Sequence, residues 1–431
     1  MQRKAVDSGF YKRSSKLLPA RFFDVLLYSA SINGPVSLEQ ISSEALASHH
    51  ISISKQALDS RFDDSAVRFV RSILEEQFNN QIGQSLDNGF LENFTRVSIK
   101  DGTRFDLPQR LKDMFPGFGG KITSEAAVCI QYEFDLKNGK MLDFDITSAK
   151  RTDYQDAKEK TTGIEKGDLI IRDLGYFSSE VLESIIKREA FIISKLKTSM
   201  TVYDESMNEI NFSKLYSKMI CNKQSHAHMK VFIGEKKKIP IRLIIDLVPE
   251  DVYQKRVRKA EKENKKKGSQ TSRKYKIKAH FNLMITNVPE KDLPDKQVYL
   301  LYKTRWQIEL IFKIWKSTIG IHKIHPMDYC RLMCLLYAKL ILILINSQMI
   351  NLVSYKLFKA TKRMISTSKC MKTLMDYFYM TRKILKTSGR QIISYMREMV
   401  KILSVNHWLE KRKNKINFNE IFDVFCFKSA Q

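Results

Sequence analysis

Four polar side chains stand at offsets of three, seven and fourteen in the stretch LYKTRWQIELIFKIWKS (301–317): Tyr302, Arg305, Glu309 and Lys316. At about 100° per residue they would fall within roughly 60° of one another on one helix. Trp306, Ile308, Leu310, Ile311, Phe312, Ile314 and Trp315 cover most of the remaining circumference. The spacing predicts a largely buried helix with one narrow charged edge. A carboxylate flanked by Arg and Lys on that edge suits a metal ion and phosphates. Phosphodiester chemistry by two divalent ions needs carboxylates from separate elements, with the ions about 4 Å apart. Asp101 supplies a second acid, at the expected end of the strand VSIKDGT, where the chain turns out. Asp173 supplies a third, ending LIIRDLG, with Gly175 allowing a sharp exit. All-oxygen donors of this kind suit Mg²⁺ or Mn²⁺.

Each position taken singly has a plainer reading. Asp in DGT is a common turn residue, Asp before Leu-Gly can simply begin a loop, and Arg305 with Glu309 is an ordinary i, i+4 pair. Their joint occurrence, in order and on suitable elements, favours the metal cup.

The elements that must position these residues are legible as patterns. The chain has 431 residues, 43% of them hydrophobic, and 74 Lys and Arg against 47 Asp and Glu leave +27. A pI near 9.7 on a globular chain points to a polyanionic partner, most often nucleic acid. The start, MQRKAVDSGFYKRSSK, lacks the apolar core of a secretory signal. The apolar run LMCLLYAKLILILI (332–345) spans 14 residues and contains Lys339, so it reads as a buried helix rather than a membrane span. Cys129, Cys221, Cys330, Cys334, Cys370 and Cys426 are scattered, which fits a reducing cytoplasm.

Residues 1–90 read as a helical N-terminal DNA-binding region, with SLEQISSEALAS (37–48) and ISKQALDSRF (53–62) laid out as a helix-turn-helix. Residues 91–196 read as the first part of an α/β core: three strands, the last two joined by KNGK, then a connection, a strand, a helix capped by Ser178 or Ser179, and a strand. Residues 197–295 form a mainly β insertion carrying a basic helical segment, with twelve Lys or Arg and two Glu between 255 and 278. Residues 296–329 complete the core, and 330–431 form a basic helical C-terminal region.

This combination resembles the DDE transposases of bacterial insertion sequences, and more narrowly the insertion-sequence-four family, marked by Y-x2-R-x3-E-x6-K around its third acid. Tyr302, Arg305, Glu309 and Lys316 complete that signature. Asp101-Gly102-Thr103 matches the family's D-G-T triplet, and Asp173-Leu174-Gly175-Tyr176 its D-x-G-Y. The resemblance covers about 94 to 317. It implies a ribonuclease-H-like mixed-sheet core interrupted by a largely β insertion, and two Mg²⁺ ions (Mn²⁺ substituting) held by Asp101, Asp173 and Glu309. It implies contacts from Tyr302, Arg305 and Lys316 to DNA phosphates, and nicking at the terminal inverted repeats followed by strand transfer to target DNA. A homodimer would synapse the two ends, in the cytoplasm at the nucleoid.

Several other residues invite competing readings. A hairpin route wants an aromatic to hold a flipped base; packing explains Trp306 and Trp315 better, and the insertion contains no Trp, so a stacking residue there would be a Tyr or Phe such as Tyr275 or Phe281. His322, His325, Cys330 and Cys334 have a superficially zinc-like spacing, but no paired CxxC exists. Asp143 and Asp145 alternate along a strand as its solvent face, and Asp168 lacks the following Gly. A catalytically inactive, transposase-derived DNA-binding protein is the alternative, and its expected mark is a lost acid. All three acids are present. A junction resolvase of the same superfamily would lack the Tyr-Arg-Glu-Lys helix.

Overall fold

The alternating pattern after residue 94 folds as strands, and side-chain caps start several of the helices around them. The computed structural model describes residues 1–12, 16–81, 89–120 and 124–410; Cys426 and the end of the C-terminal region lie outside them. Five helices open the chain: α1 (Gln2–Asp7), α2 (Pro19–Ser31), α3 (Leu38–His49), α4 (Lys55–Asp59) and α5 (Asp64–Asn79). Strands β1 (Val97–Asp106), β2 (Ala127–Asp135) and β3 (Met141–Ser148) follow, then α6 (Asp153–Glu159), β4 (Leu169–Arg172), α7 (Ser179–Lys187) and β5 (Phe191–Lys195). Next come β6 (Val202–Tyr203), α8 (Phe212–Cys221), β7 (His226–Ile233), β8 (Ile239–Leu247), α9 (Glu250–Lys266), α10 (Arg273–Lys278) and β9 (Phe281–Thr286). Helices α11 (Asp295–Lys303), α12 (Trp306–Ile314), α13 (Tyr329–Thr361), α14 (Thr367–Asp376), α15 (Phe378–Ile384) and α16 (Gly389–Asn406) complete it.

The described chain divides into two units, each assembled from separated segments. One comprises residues 1–81, 102–151 and 307–410; the other comprises 89–101 and 152–306. Strand β1 belongs to both, passing from one to the other between Asp101 and Gly102.

The second unit carries the ladder β1-β4-β5-β9-β8-β7-β6. β1, β4 and β5 run parallel, and β9, β8, β7 and β6 add on antiparallel. Ile170, Ile192, Leu243, Ile245 and Ile285 from these strands share a core with Leu182 and Ile185 of α7. The near-continuous apolar run LIIR of β4 is buried at every position, as a parallel strand covered on both faces requires. Ser178 caps α7 by accepting from the Val181 amide at 3.2 Å.

The first unit contains the antiparallel pair β2–β3 and most of the helices. β2 is buried at all nine positions, and Asp145 of β3 is held by Arg151 at 2.9 Å. The 33-residue α13 packs against α2 and α5. By length and composition it could cross a membrane, yet 78% of its apolar window is buried inside the protein. Lys339 sits in the middle of that run and donates to the carbonyls of Ala30, Ile32 and Ile319 at 3.3, 3.3 and 2.9 Å. Burial pushes its ammonium down to about 8. Lys339 thus satisfies the carbonyls where α2 ends, a core role that explains a lysine among leucines.

The second helix of the expected helix-turn-helix is short. Where ISKQALDSRF predicts ten residues, α4 has five. Arg61 and Phe62 turn back to the carbonyls of Leu58 and Asp59, and Asp63 then caps α5 by accepting from Ala66 at 2.9 Å. A strong cap four residues after the helix resets the chain rather than prolonging it.

The helices of this unit are tied by one acidic residue of α2. Arg382 of α15 donates to both oxygens of Asp24 at 2.8 and 2.7 Å, Lys386 donates at 2.8 Å, and His49 lies 2.7 Å away. Burial alone would raise the Asp24 carboxyl; the hydrogen bonds of Arg382 and Lys386 outweigh it and hold the group at about 2. Because the folded value lies below the unfolded one, the contribution of about 2 kcal/mol is present above pH 4 and is lost as pH falls toward 2. Asp24→Asn is expected to cost about that much in urea unfolding at pH 7. The gap between variant and wild type should close between pH 4 and pH 2; a gap constant over that range would exclude the ionised carboxylate as its cause.

Candidate active site

In the second unit, register brings two of the predicted acids together. β1 and β4 pair in parallel with Lys100 opposite Arg172, so Asp101 and Asp173 are the next residues on neighbouring chains. Asp173 follows the last residue of its strand and opens a tight turn over Leu174–Tyr176. A Cβ on Gly175 would lie 2.8 Å from Asp153 Oδ2, so any larger residue there must push that carboxylate aside. Asp101 departs from expectation: it does not end its strand. β1 continues to Asp106, while the pairing with β4 stops at Lys100. The chain therefore stays extended at DGT and leaves the parallel ladder without turning.

Beneath this pair lies a fully buried ion pair. Lys100 points to the opposite face of β1 from Asp101, and its Nζ is 2.7 Å from Asp156 Oδ2 of α6, with both side chains wholly buried. Asp168, the other acid at this strand, is buried and held by Arg96, whose Nε is 2.9 Å from Oδ1. Asp168 is thus a structural partner at the start of β4.

Arg305 faces the two aspartates. Its Nη1 lies 3.4 Å from Asp101 Oδ2 and its Nε 4.0 Å from Asp173 Oδ1. Tyr302 is buried beside them; burial first, and the charge of Asp173 second, push its hydroxyl up to about 12. Lys195, ending β5, places Nζ 5.7 Å from the Tyr302 ring centroid. Its pKa is lowered by burial and by Arg256, against the pull of Asp173. The sequence reading passed over Lys195, and a lysine closing the apolar strand FIISK was the available signal. Tyr176 is buried beside the pair, its hydroxyl raised by burial and by Asp153 and Asp101.

The signature stretch is not one helix. α11 ends at Lys303, Thr304 and Arg305 turn back to the carbonyls of Leu301 and Tyr302, and α12 starts at Trp306. Thr304 Oγ1 reinforces the break by donating to Leu301 O at 2.6 Å. A π-helical turn then runs over Trp315–Ile319. The single wheel assumed for Tyr302, Arg305, Glu309 and Lys316 therefore does not exist, and each of the four stands on a different local geometry. Such π turns are frequent at functional sites.

Glu309 and Lys316 belong to the first unit. Glu309 lies on the exposed side of α12. α12 is anchored by Tyr132 of β2, whose ring is 4.9 Å from that of Trp315 and 6.3 Å from that of Phe312. Lys316 Nζ donates to Arg104 O at 3.1 Å, and burial lowers its pKa. Trp315 is buried as expected, but Trp306 is 46% exposed, so packing does not account for it. Phe281 is buried in β9 against Phe212, which removes it as a base-stacking residue. The histidine and cysteine residues at 322–334 form no such group; among the described residues the ligating side chains that converge as a set of three are His226, His228 and Asp295. An H-x-H on a strand was the signal for them.

A mixed sheet whose parallel strands bring two carboxylates to one end has the architecture of the ribonuclease-H-like class. A family profile described as a transposase DDE domain matches residues 92–345. The transposase for insertion sequence element IS231B of Bacillus thuringiensis subsp. berliner is 29% identical over 441 residues, covering 98% of this chain and 91% of the relative. That for IS231E of Bacillus thuringiensis subsp. finitimus is 28% identical, over 98% and 91%. That for IS1151 of Clostridium perfringens is 30% identical over 393 residues, covering 87% and 82%. The chain belongs to the DDE transposases of insertion sequences. As such it is an enzyme that acts on DNA and uses divalent metal ions.

Removing one member of a wholly buried ion pair leaves the other charge uncompensated, at about 3–5 kcal/mol. Lys100→Met is therefore expected to lower the unfolding free energy by about that amount in urea. A loss below about 1 kcal/mol would mean that Asp156 finds another partner or water.

Proposed function

We propose that this transposase cleaves the ends of its own insertion sequence and joins them to target DNA, with Asp101, Asp173 and Glu309 as the catalytic, metal-binding acids. The observation that carries the reading is the register of β1 and β4, which sets Asp101 beside Asp173 with Arg305 against both. The donors are hard carboxylate oxygens, and a guanidinium already lies at the place where positive charge is wanted. Such a set fits Mg²⁺, with Mn²⁺ able to substitute. Two ions bound there would supply an activated water or 3′-hydroxyl and stabilise the leaving oxygen.

The chain's own side chains orient the DNA. Arg305 can grip a phosphate with two parallel N–H donors once metal takes over the charge of the aspartates. Tyr302 keeps its proton at any working pH and donates a hydrogen bond to a phosphate oxygen near the transposon end. Lys316 supplies a further cation to the backbone, and the basic α9 and α10 extend the positive surface. Joining two ends calls for two copies of the chain, so we infer a homodimer in the synaptic complex, working in the cytoplasm at the nucleoid. The alternative, an inactive DNA-binding derivative, is separated by the first experiment below.

Labelled DNA carrying the flanking inverted repeats should be cut at the repeat ends by wild type with Mg²⁺. Glu309→Gln should bind the same DNA but lose several kcal/mol of transition-state stabilisation, about a thousandfold in rate. Binding without cleavage by both proteins would favour the inactive derivative. Tyr302→Phe should weaken end binding about tenfold, by the same factor at pH 7 and pH 9, in a mobility-shift assay. A factor that shrinks at pH 9 would show the hydroxyl ionising in that range.

A further inference from the structure

Away from the acidic pair, the second unit carries another convergence of ligating side chains. His226 and His228 are separated by one residue on β7, so both rings leave the same face of the sheet. Asp295, the first residue of α11, meets them there. Its Oδ2 lies 3.0 Å from His226 Nε2 and 2.7 Å from His228 Nδ1. The three ligand atoms all fall within 4.8 Å of one another.

We propose that His226, His228 and Asp295 bind a divalent transition-metal ion of the zinc class, which fastens the N-terminus of α11 to β7. An outer ring of partners faces each ligand from behind. His226 Nδ1 is 2.6 Å from Asp246 Oδ1, on the neighbouring strand β8. His228 Nε2 is 3.4 Å from Glu290 Oε2. Arg242 Nη1 donates to the second oxygen of Asp295 at 2.9 Å. Metal-binding histidines characteristically give their other ring N–H to a carboxylate, which fixes the tautomer and turns the free lone pair to the ion. Here both histidines have such a carboxylate, on the side away from the shared point.

Size and charge agree with this occupant. Zinc bonds of about 2.0–2.1 Å in a tetrahedron put ligand atoms roughly 3.3 Å apart, so the observed 3.0 and 2.7 Å would open by about 0.3 and about 0.6 Å. Three carboxylates, one guanidinium and two neutral imidazoles carry two negative charges, which a divalent ion balances. In the metal-bound state each imidazole keeps its outward N–H and gives its inward lone pair to the ion; an imidazolium would first release its inward proton to solvent. Imidazole nitrogen selects zinc, cobalt or nickel over the Mg²⁺ suited to an all-oxygen cup. Both histidine side chains are more than two-fifths exposed, so an ion can reach the site, whereas Asp295 is buried as a fixed ligand. With three protein ligands a fourth position stays open to water. The site takes no part in phosphoryl transfer; α11, which it would anchor, ends one residue beyond Tyr302.

The test uses the untagged full-length chain carrying Asp101→Asn and Asp173→Asn, so that the catalytic acids do not compete. Co²⁺ is titrated in and its visible ligand-field absorption recorded, with Zn²⁺ as competitor in calorimetry. One equivalent of Co²⁺ in a four-coordinate environment, displaced by Zn²⁺ and not by Mg²⁺, is expected. His226→Gln with His228→Asn should weaken binding at least about a hundredfold. Should that pair fail to fold by circular dichroism, Glu290→Gln, an outer and exposed position, should weaken it about tenfold with the fold intact. No stoichiometric uptake by the Asp101/Asp173 variant, or uptake unchanged by the histidine or Glu290 substitutions, would overturn the proposal.

Discussion

The parallel register of β1 against β4 is the constraint on which the second unit depends. Setting Lys100 opposite Arg172 makes Asp101 and Asp173 neighbours, and a slip of one residue would turn one of them to the wrong face. The same register commits Lys100 to the interior, where Asp156 meets it. A buried pair of this kind is a poor source of net stability, because desolvating both charges offsets their attraction. It penalises instead any placement of β1 that parts Lys100 from α6, since either charge left alone would be buried and uncompensated. Two acids that repel each other are thus held side by side by a pair of opposite charges on the other side of the same strand.

Arg305 acts on that repulsion from above. It reaches the aspartates from the break between α11 and α12, where Thr304 folds its hydroxyl back on Leu301 O. On an unbroken helix, a residue three positions from Tyr302 would stay on the stripe that Tyr302 occupies. The interruption lets Tyr302 be buried while Arg305 turns toward the acids. A π turn at Trp315 does similar work for Lys316, sending its ammonium to Arg104 O while Trp315 packs on Tyr132.

What the sequence disclosed follows from how local its signals were. Strand β4 was plain because four consecutive apolar or buried positions followed by Asp-x-Gly leave few alternatives, and α7 because Ser178 stands where a cap belongs. The spacing of Tyr302, Arg305, Glu309 and Lys316 identified the family, but not the geometry that produces it. A spacing is read by assuming one helical period, and neither a break at Thr304 nor an added residue in a π turn changes composition. The strand continuing past Asp101 was hidden for a similar reason: DGT is a sound turn sequence, overruled by pairing with chain far away. Likewise the second helix at 53–62 was cut short by Asp63, a cap serving the next helix. The His226 and His228 pair escaped because its third member, Asp295, lies 67 residues from His228 and joins it only through the fold.

The discontinuous make-up of both units bears on how the chain folds as it is made. Helix α5 packs against α13, yet Tyr329 lies 250 positions after Asn79. At about 5–20 residues per second on the ribosome, α5 waits roughly 12 to 50 seconds for its partner. Asp101 and Asp173 are only 72 positions apart and come together several times sooner. Both aspartates are therefore synthesised well before Glu309, while α5 still lacks the helix that covers it and is open to whatever chaperone attends the nascent chain.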